Sequence, residues 1–205
     1  MNKDKFINNF LEFDLYKLCL IKTNTFIRFK FMSIIKQFFK SFFFSPKLHV
    51  NRGSSNLVIN SYARQDIQDD FITITKSLNK PPTTIIIENF FIPNFFWFNR
   101  SNIFFLIKLY KKRYLLFSGI RDSKLLRLYN FLSFIEAVKL ILIVENLILK
   151  NNIRVNNIIS IMEMQFYENA LIQYFRKKNC KTYAWHHGFY RFNNKPISDV
   201  NVAPT

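Results

Sequence analysis

Between Val155 and His187 the chain carries an apolar run, a polar-faced helix and a second apolar run, and this order commits it to a parallel α/β layer. Val155–Gln165 (VNNIISIMEMQ) is rich in β-branched residues and ends on polar ones, as a buried strand does. In FYENALIQYFRKKN, Tyr167, Ala170, Leu171, Tyr174 and Phe175 recur at helical spacing. Arg176, Lys177 and Lys178 suit the negative end of that helix, and Asn179 suits a left-handed cap. CKTYAWHH is the second strand, and Gly188 opens a turn. The unit has the usual βαβ size of about 30 residues.

The preceding chain repeats this logic. Asn56–Tyr62 (NLVINSY) reads as a short buried strand after the loop 51–55. The next segment has acidic residues early, Lys76 late, and Ile67, Phe71, Ile74 and Leu78 at helical spacing. Pro81-Pro82 stops it, and Thr83–Phe90 (TTIIIENF) is a second strand. Residues 91–122 predict an aromatic loop, a helix into Lys112, and a strand at Tyr114–Ser118 before Gly119. A long apolar helix runs from Ser123 to Lys150, where Asn151-Asn152 breaks it. The last residues, from Arg191, show no element of their own. Residues 1–50 form a basic, Phe-rich helical segment closed by Pro46, and 51–205 form a Rossmann-like domain, a parallel sheet with flanking helices.

The formal net charge of +17 draws such a surface to polyanions, whether nucleic acid, anionic lipid or phosphorylated substrate. The set of 26 Phe and only 3 Gly is also what AT-rich codons produce, so composition alone selects none of these. Cys19 and Cys180 lack metal-ligand or redox spacing and suit a reducing compartment. The longest uncharged runs, Gly53–Ala63 and Asn89–Asn99, are eleven residues each. That falls well short of the roughly 18 needed to span a bilayer. The expected location is cytoplasmic, or peripheral on the inner face of the membrane. There the segment Phe26–Phe44 would set its rings at the acyl boundary and its lysines among headgroups; ordinary packing of this helix on the domain is the competing reading.

Ligands of open parallel sheets bind beyond the carboxyl ends of the strands. One such end carries Glu163; the other carries His186, His187 and Gly188. A histidine there can serve as general base toward a hydroxyl, because its ordinary pKa lies near neutrality. Gly188 allows close approach of the backbone to a ligand. Glu163 can orient an imidazole or bind a sugar hydroxyl. Adjacent strand residues point to opposite faces, so one histidine at most faces the cleft. Taken alone, the pair fits a site and fits core and loop positions equally well. No metal is expected, since consecutive histidines are poor joint ligands and no Cys/His/Asp cluster completes a set. Neither a Gly-rich phosphate loop nor a nucleophile elbow is present.

The stretch Ile158–Arg191 resembles the end of the N-terminal domain in bacterial GT-B-fold glycosyltransferases that build capsules and other surface polysaccharides. In that family a helix of the form E-N-x-L-I-Q-Y-F-K-K-K-G precedes a strand ending in Q-H-G-F-Y. Here these are Glu168–Lys178 and His186-His187-Gly188-Phe189-Tyr190. His186 stands where Gln is usual, and Asn179 where Gly is usual. The resemblance implies sugar transfer from a nucleotide donor to a surface-polysaccharide or lipid-linked acceptor. His187 would be the catalytic residue, and Gly188, Glu163 and His186 would bind the acceptor. No cofactor is implied, the nucleotide sugar being a substrate. The sequence ends at Thr205 before a donor-binding domain could follow, so the chain is expected to be the acceptor-side part of such an enzyme. It would be incomplete unless a separate donor-domain chain joins it. Two other readings compete: a non-enzymatic basic protein that binds nucleic acid, ranked lower because its basic clusters are scattered, and a non-functional gene remnant.

Overall fold

The computed structural model of the protein describes residues 31–61, 65–118, 124–161, 166–185 and 200–202. Its elements are α1 (Phe31–Phe43), β1 (Phe44–Asn51), β2 (Ser54–Asn60), α2 (Gln65–Ser77), β3 (Pro82–Pro93), a 3-10 turn (Phe96–Phe98), α3 (Arg100–Ser118), α4 (Lys124–Lys150), β4 (Asn157–Ser160), α5 (Phe166–Lys177), β5 (Lys181–Trp185) and β6 (Val200–Val202). The chain is thus α/β, as expected. It divides into two compact units, Met1–Ser45 with Phe91–Leu140, and Pro46–Phe90 with Ile141–Thr205.

The second unit is built on a mixed six-stranded sheet of order β1-β3-β2-β4-β5-β6. Strands β3, β2, β4, β5 and β6 run parallel to one another. Leu57, Val58 and Ile59 of β2 have no exposed surface, which is why this central strand reads as a continuous apolar run rather than an alternation. Ile74 of α2 packs with Val58 and Ile161, and Phe71, Leu78 and Ile159 close around them. Helix α5 buries every residue from Glu168 to Phe175.

The start of β2 is set by a close backbone approach. A Cβ on Gly53 would lie 2.3 Å from the carbonyl oxygen of Pro82 and 2.4 Å from that of Pro81. The Ser54 N–H donates to Pro81 O at 2.7 Å, and the Thr83 hydroxyl donates to Ser54 O at 2.9 Å. This is the place where only glycine fits.

Asparagine ends both α4 and α5. Asn152 and Asn179 have φ of 51° and 60°. In α4, Ile153 N–H donates to Ile148 O and Asn152 N–H to Leu149 O; in α5, Cys180 N–H donates to Phe175 O and Asn179 N–H to Arg176 O. Both are Schellman motifs with Asn in the position glycine usually takes.

The first unit is helical. The last carbonyls of α1 have no partner within the helix, and the rest of the unit supplies one. Lys139 of α4, fully buried, donates from Nζ to Lys40 O at 2.6 Å and Ser41 O at 2.9 Å, and also to Phe44 O. Trp97 Nε1 donates to Ser41 O at 2.9 Å, and the Asn94 N–H to Phe43 O at 2.6 Å. Gln37 Nε2 donates to the Glu136 carboxylate at 2.6 Å, and the Ser41 hydroxyl to Leu132 O at 2.6 Å. A ladder of polar contacts therefore runs between α1 and α4.

Several sequence expectations are corrected. The sheet is mixed, not wholly parallel. Tyr114–Ser118 is not a strand but the end of α3, because nothing between Arg100 and Ser118 is Gly or Pro and a started helix propagates. Phe44–Asn51 is a strand and not helix and loop; it lies at the sheet edge, where Pro46 costs no ladder bond. Of the strand expected over Val155–Gln165, Asn157–Ser160 forms β4, while residues 162–165 lie outside the described residues. Val200–Val202 adds an edge strand that three residues are too few to announce by periodicity.

Candidate functional site

Strand order singles out one gap in the sheet. The chain leaves β2 through α2 to β3 on one side, whereas β4 lies on the other side of β2. Open α/β sheets bind ligands at such a reversal, outside the carboxyl ends of the strands. The groups found there are Ser61, just past β2, Ser160, the last residue of β4, and Glu168, in the first turn of α5.

Glu168 joins the other two. Its Oε1 accepts the backbone N–H of Ser61 at 2.8 Å and the Ser61 hydroxyl at 2.7 Å, while its Oε2 accepts the Ser160 hydroxyl. Glu168 and Ser160 are completely buried, and Ser61 nearly so. A carboxylate removed from water is tolerated only when its oxygens are engaged, and here both are. Its position also suits it electrostatically, since the first turn of a helix carries partial positive charge. The arrangement fixes the carboxyl ends of two neighbouring strands to the start of the helix that crosses from β4 to β5. Glu168 is therefore a positioning group. It has no surface with which to meet a ligand, and the Ser61 and Ser160 hydroxyls are directed into it.

The polar seam continues along α5, where buried Gln173 donates from Nε2 to Asn169 Oδ1 at 2.9 Å. Near the other end of α5, Lys178 pairs with the buried carboxylate of Glu145, and its ammonium lies 5.2 Å from the centre of the Tyr174 ring. Burial, aided by the Glu145 charge, holds the Tyr174 phenol far above its ordinary pKa. Burial likewise raises the Cys180 thiol, so it is a poor nucleophile. The remaining histidine, His49, lies exposed on β1 and contacts Glu88 of β3 at 2.5 Å, with Lys47 also 3.7 Å from that carboxylate.

The predicted site residues Glu163, His186, His187 and Gly188 lie outside the described residues. The structure does describe the strand that leads to three of them. Ala184 of β5 is level with Ser160 of β4, and Trp185 is the last residue of β5. The chain thus leaves β5 toward His186 at the same sheet edge where Ser61 and Ser160 hold Glu168. Among the described residues, no group of three His, Cys, Asp or Glu side chains could hold a metal ion. No helix there is long and apolar enough to cross a membrane. Sequence reasoning missed Ser61, Ser160 and Glu168 as a cluster. The available signal was an acidic residue two places into a helix whose later residues are apolar, a position that faces back toward strand ends.

The chain matches no protein-family model, no curated protein and no solved structure.

Proposed function

We propose that the chain is the acceptor-side part of a glycosyltransferase, of the GT-B kind that its segment Ile158–Arg191 resembles. It would serve transfer of a sugar from a nucleotide donor to a surface-polysaccharide or lipid-linked acceptor at the inner face of the membrane. The observation that carries this reading is the β4-α5-β5 unit, whose second strand ends at Trp185 on the carboxyl edge beside the strand reversal, with His186-His187-Gly188 next in the sequence. That edge is where an α/β sheet receives a ligand. In this reading His187 is the general base or acceptor-orienting group, Gly188 lets the backbone approach the sugar, and Glu163 and His186 bind its hydroxyls. Glu168 acts only by holding the edge in shape. The donor nucleotide is bound by a second domain.

The test is saccharide binding by the whole chain, followed by ligand-observed NMR with short capsular oligosaccharides and a prenyl-phosphate-linked sugar. Binding should weaken about tenfold or more in His187→Ala with an unchanged thermal melt. Equal binding by that variant removes His187 from the site. Salt-sensitive binding of nucleic acid that survives loss of both histidines, with no saccharide bound, would favour the basic-binder reading.

A further inference from the structure

Part of the exposed apolar surface of the helical unit is a connected cluster of rings. Phe38, Phe39, Phe43, Phe95 and Phe98 form a chain of ring contacts joining α1 to the 3-10 turn. The centroids of Phe38 and Phe39 are 6.0 Å apart, Phe39 and Phe43 5.6 Å, Phe43 and Phe98 5.6 Å, and Phe95 and Phe98 5.8 Å. This is not a core: Phe95 keeps 64% and Phe98 57% of its surface in solvent, and Phe38 and Phe39 are also exposed. Ile103 and Phe104 of α3 extend the exposed set. The sheet unit exposes far less of this kind, chiefly Ile72, Phe90 and Leu149. A ring cluster this wet marks an interaction surface.

Charge tells what the surface meets. Among the described residues of this unit the exposed charges are all basic: Lys36 and Lys40 on α1, Arg100, Lys108 and Lys111 on α3. The one carboxylate described there, Glu136, is buried against Gln37. Lys36 and Lys40 stand within two residues of the exposed rings on the same helix, and the Lys40 ammonium lies 4.4 Å from the centre of the Phe91 ring. Phe38 and Phe42 also line an apolar groove of about 690 Å³ walled by α1, α3 and α4, with Lys111 among its lining residues. Rings, lysines and an apolar recess side by side match the one partner that offers hydrocarbon and phosphate at adjacent depths.

We propose that this face of the helical unit docks on an anionic lipid bilayer, with Phe38, Phe39, Phe95 and Phe98 entering the acyl boundary and Lys36, Lys40 and Arg100 meeting headgroup phosphates. The proposal deepens the membrane-peripheral placement of the proposed function but stands on the rings and charges, not on sugar transfer. Saccharide binding by the sheet unit is a separate readout.

The experiment is co-sedimentation of the full chain with vesicles of phosphatidylcholine alone and of phosphatidylcholine mixed with phosphatidylglycerol. Wild type should bind the mixed vesicles and largely ignore the neutral ones. The variant Phe38→Ser/Phe39→Ser/Phe95→Ser/Phe98→Ser should lose affinity about tenfold or more with an unchanged circular dichroism spectrum, and Ile72→Ser/Phe90→Ser in the sheet unit should bind as wild type. Should the fourfold variant fail to fold, Phe95→Ser alone, at the most exposed ring of the cluster, should still weaken binding measurably. Binding that is unchanged by the ring variants and abolished by salt overturns the proposal, because charge alone then suffices. So does a stable dimer that binds no vesicle and falls apart in the ring variants, since a second copy then covers the rings.

Discussion

Ser61 gives both its backbone N–H, at 2.8 Å, and its hydroxyl, at 2.7 Å, to one oxygen of Glu168, which lies 107 residues further along the chain. Ser160 occupies the other oxygen. Removing a buried acceptor leaves its donors unsatisfied, which costs more than the bonds themselves contribute. Glu168→Ala should lower the unfolding free energy by about 3 kcal/mol or more, and Ser160→Ala by about 1 kcal/mol. Glu168→Gln keeps the volume but turns an acceptor into a donor, and should fall between them. Urea denaturation of the three variants checks the order. If Glu168→Gln equals wild type, the carboxylate charge contributes nothing to this contact.

Lys139 makes a different kind of contact, with an ammonium capping the carbonyl end of α1. Burial lowers its pKa from 10.5 to about 8, while the nearby Glu136 charge pulls the other way. Between those pH values the unfolded chain holds a proton at this position that the folded chain has released. The unfolded state therefore binds more protons, and stability from this group rises as pH climbs from about 8 toward 10.5. Lys139→Met should be less stable than wild type by about 3 kcal/mol, since it strips donors from buried carbonyls. The gap between the two proteins should widen across that pH window, because only wild type gains there. Thermal melts of both at several pH values read the difference and cancel the titrations they share. A constant gap would mean that Lys139 stays charged throughout.

How much of this was visible beforehand follows from range. The order strand, helix, strand was legible wherever residues three and four apart carried the pattern, as in Tyr167, Ala170, Leu171 and Tyr174. Pro81-Pro82 and Asn151-Asn152 marked real boundaries, and Asn179 adopts the left-handed cap its position suggested. What escaped depended on distant partners. β1 and β6 are strands only because β3 and β5 present an edge to them. Glu168 is held by Ser61, just past β2, and Ser160 of β4, which no local spacing connects to it. Lys139 is a lone charge in an apolar stretch of helix, and its role emerges only once the end of α1 lies against it. The ring cluster likewise needed the 3-10 turn to bring Phe95 and Phe98 to Phe43.

Gly53 offers a sharper test of local geometry. Its missing Cβ leaves room for two backbone carbonyls, which, unlike a flexible side chain, cannot swing aside. Gly53→Ala should force Pro81 and Pro82 away from β2 and break the Ser54 N–H bond to Pro81 O. The expected loss is about 2–4 kcal/mol, large for the addition of one methyl group. Hydrogen exchange should show lost protection at Ser54 together with its neighbours at the start of β2. A variant as stable as wild type would show that the entry to β2 can open at no cost.

The two asparagine caps predict the opposite sign. Asn152 and Asn179 are exposed and sit at φ values where any side chain is strained, asparagine less than most. Glycine relieves that strain, although it gives the unfolded chain more freedom to lose. Where the backbone already demands a left-handed residue, the relief outweighs the entropy. Asn152→Gly and Asn179→Gly should each stabilise by about 0.5 kcal/mol, and the corresponding alanine variants should destabilise by about 1 kcal/mol. The sites belong to different helices and share no partner in the Schellman bonds, so the glycine effects should add. Chemical denaturation of the two single variants and the double variant tests both statements. Destabilisation by glycine at either position would mean that the asparagine side chain, and not only its tolerance of positive φ, holds the helix end.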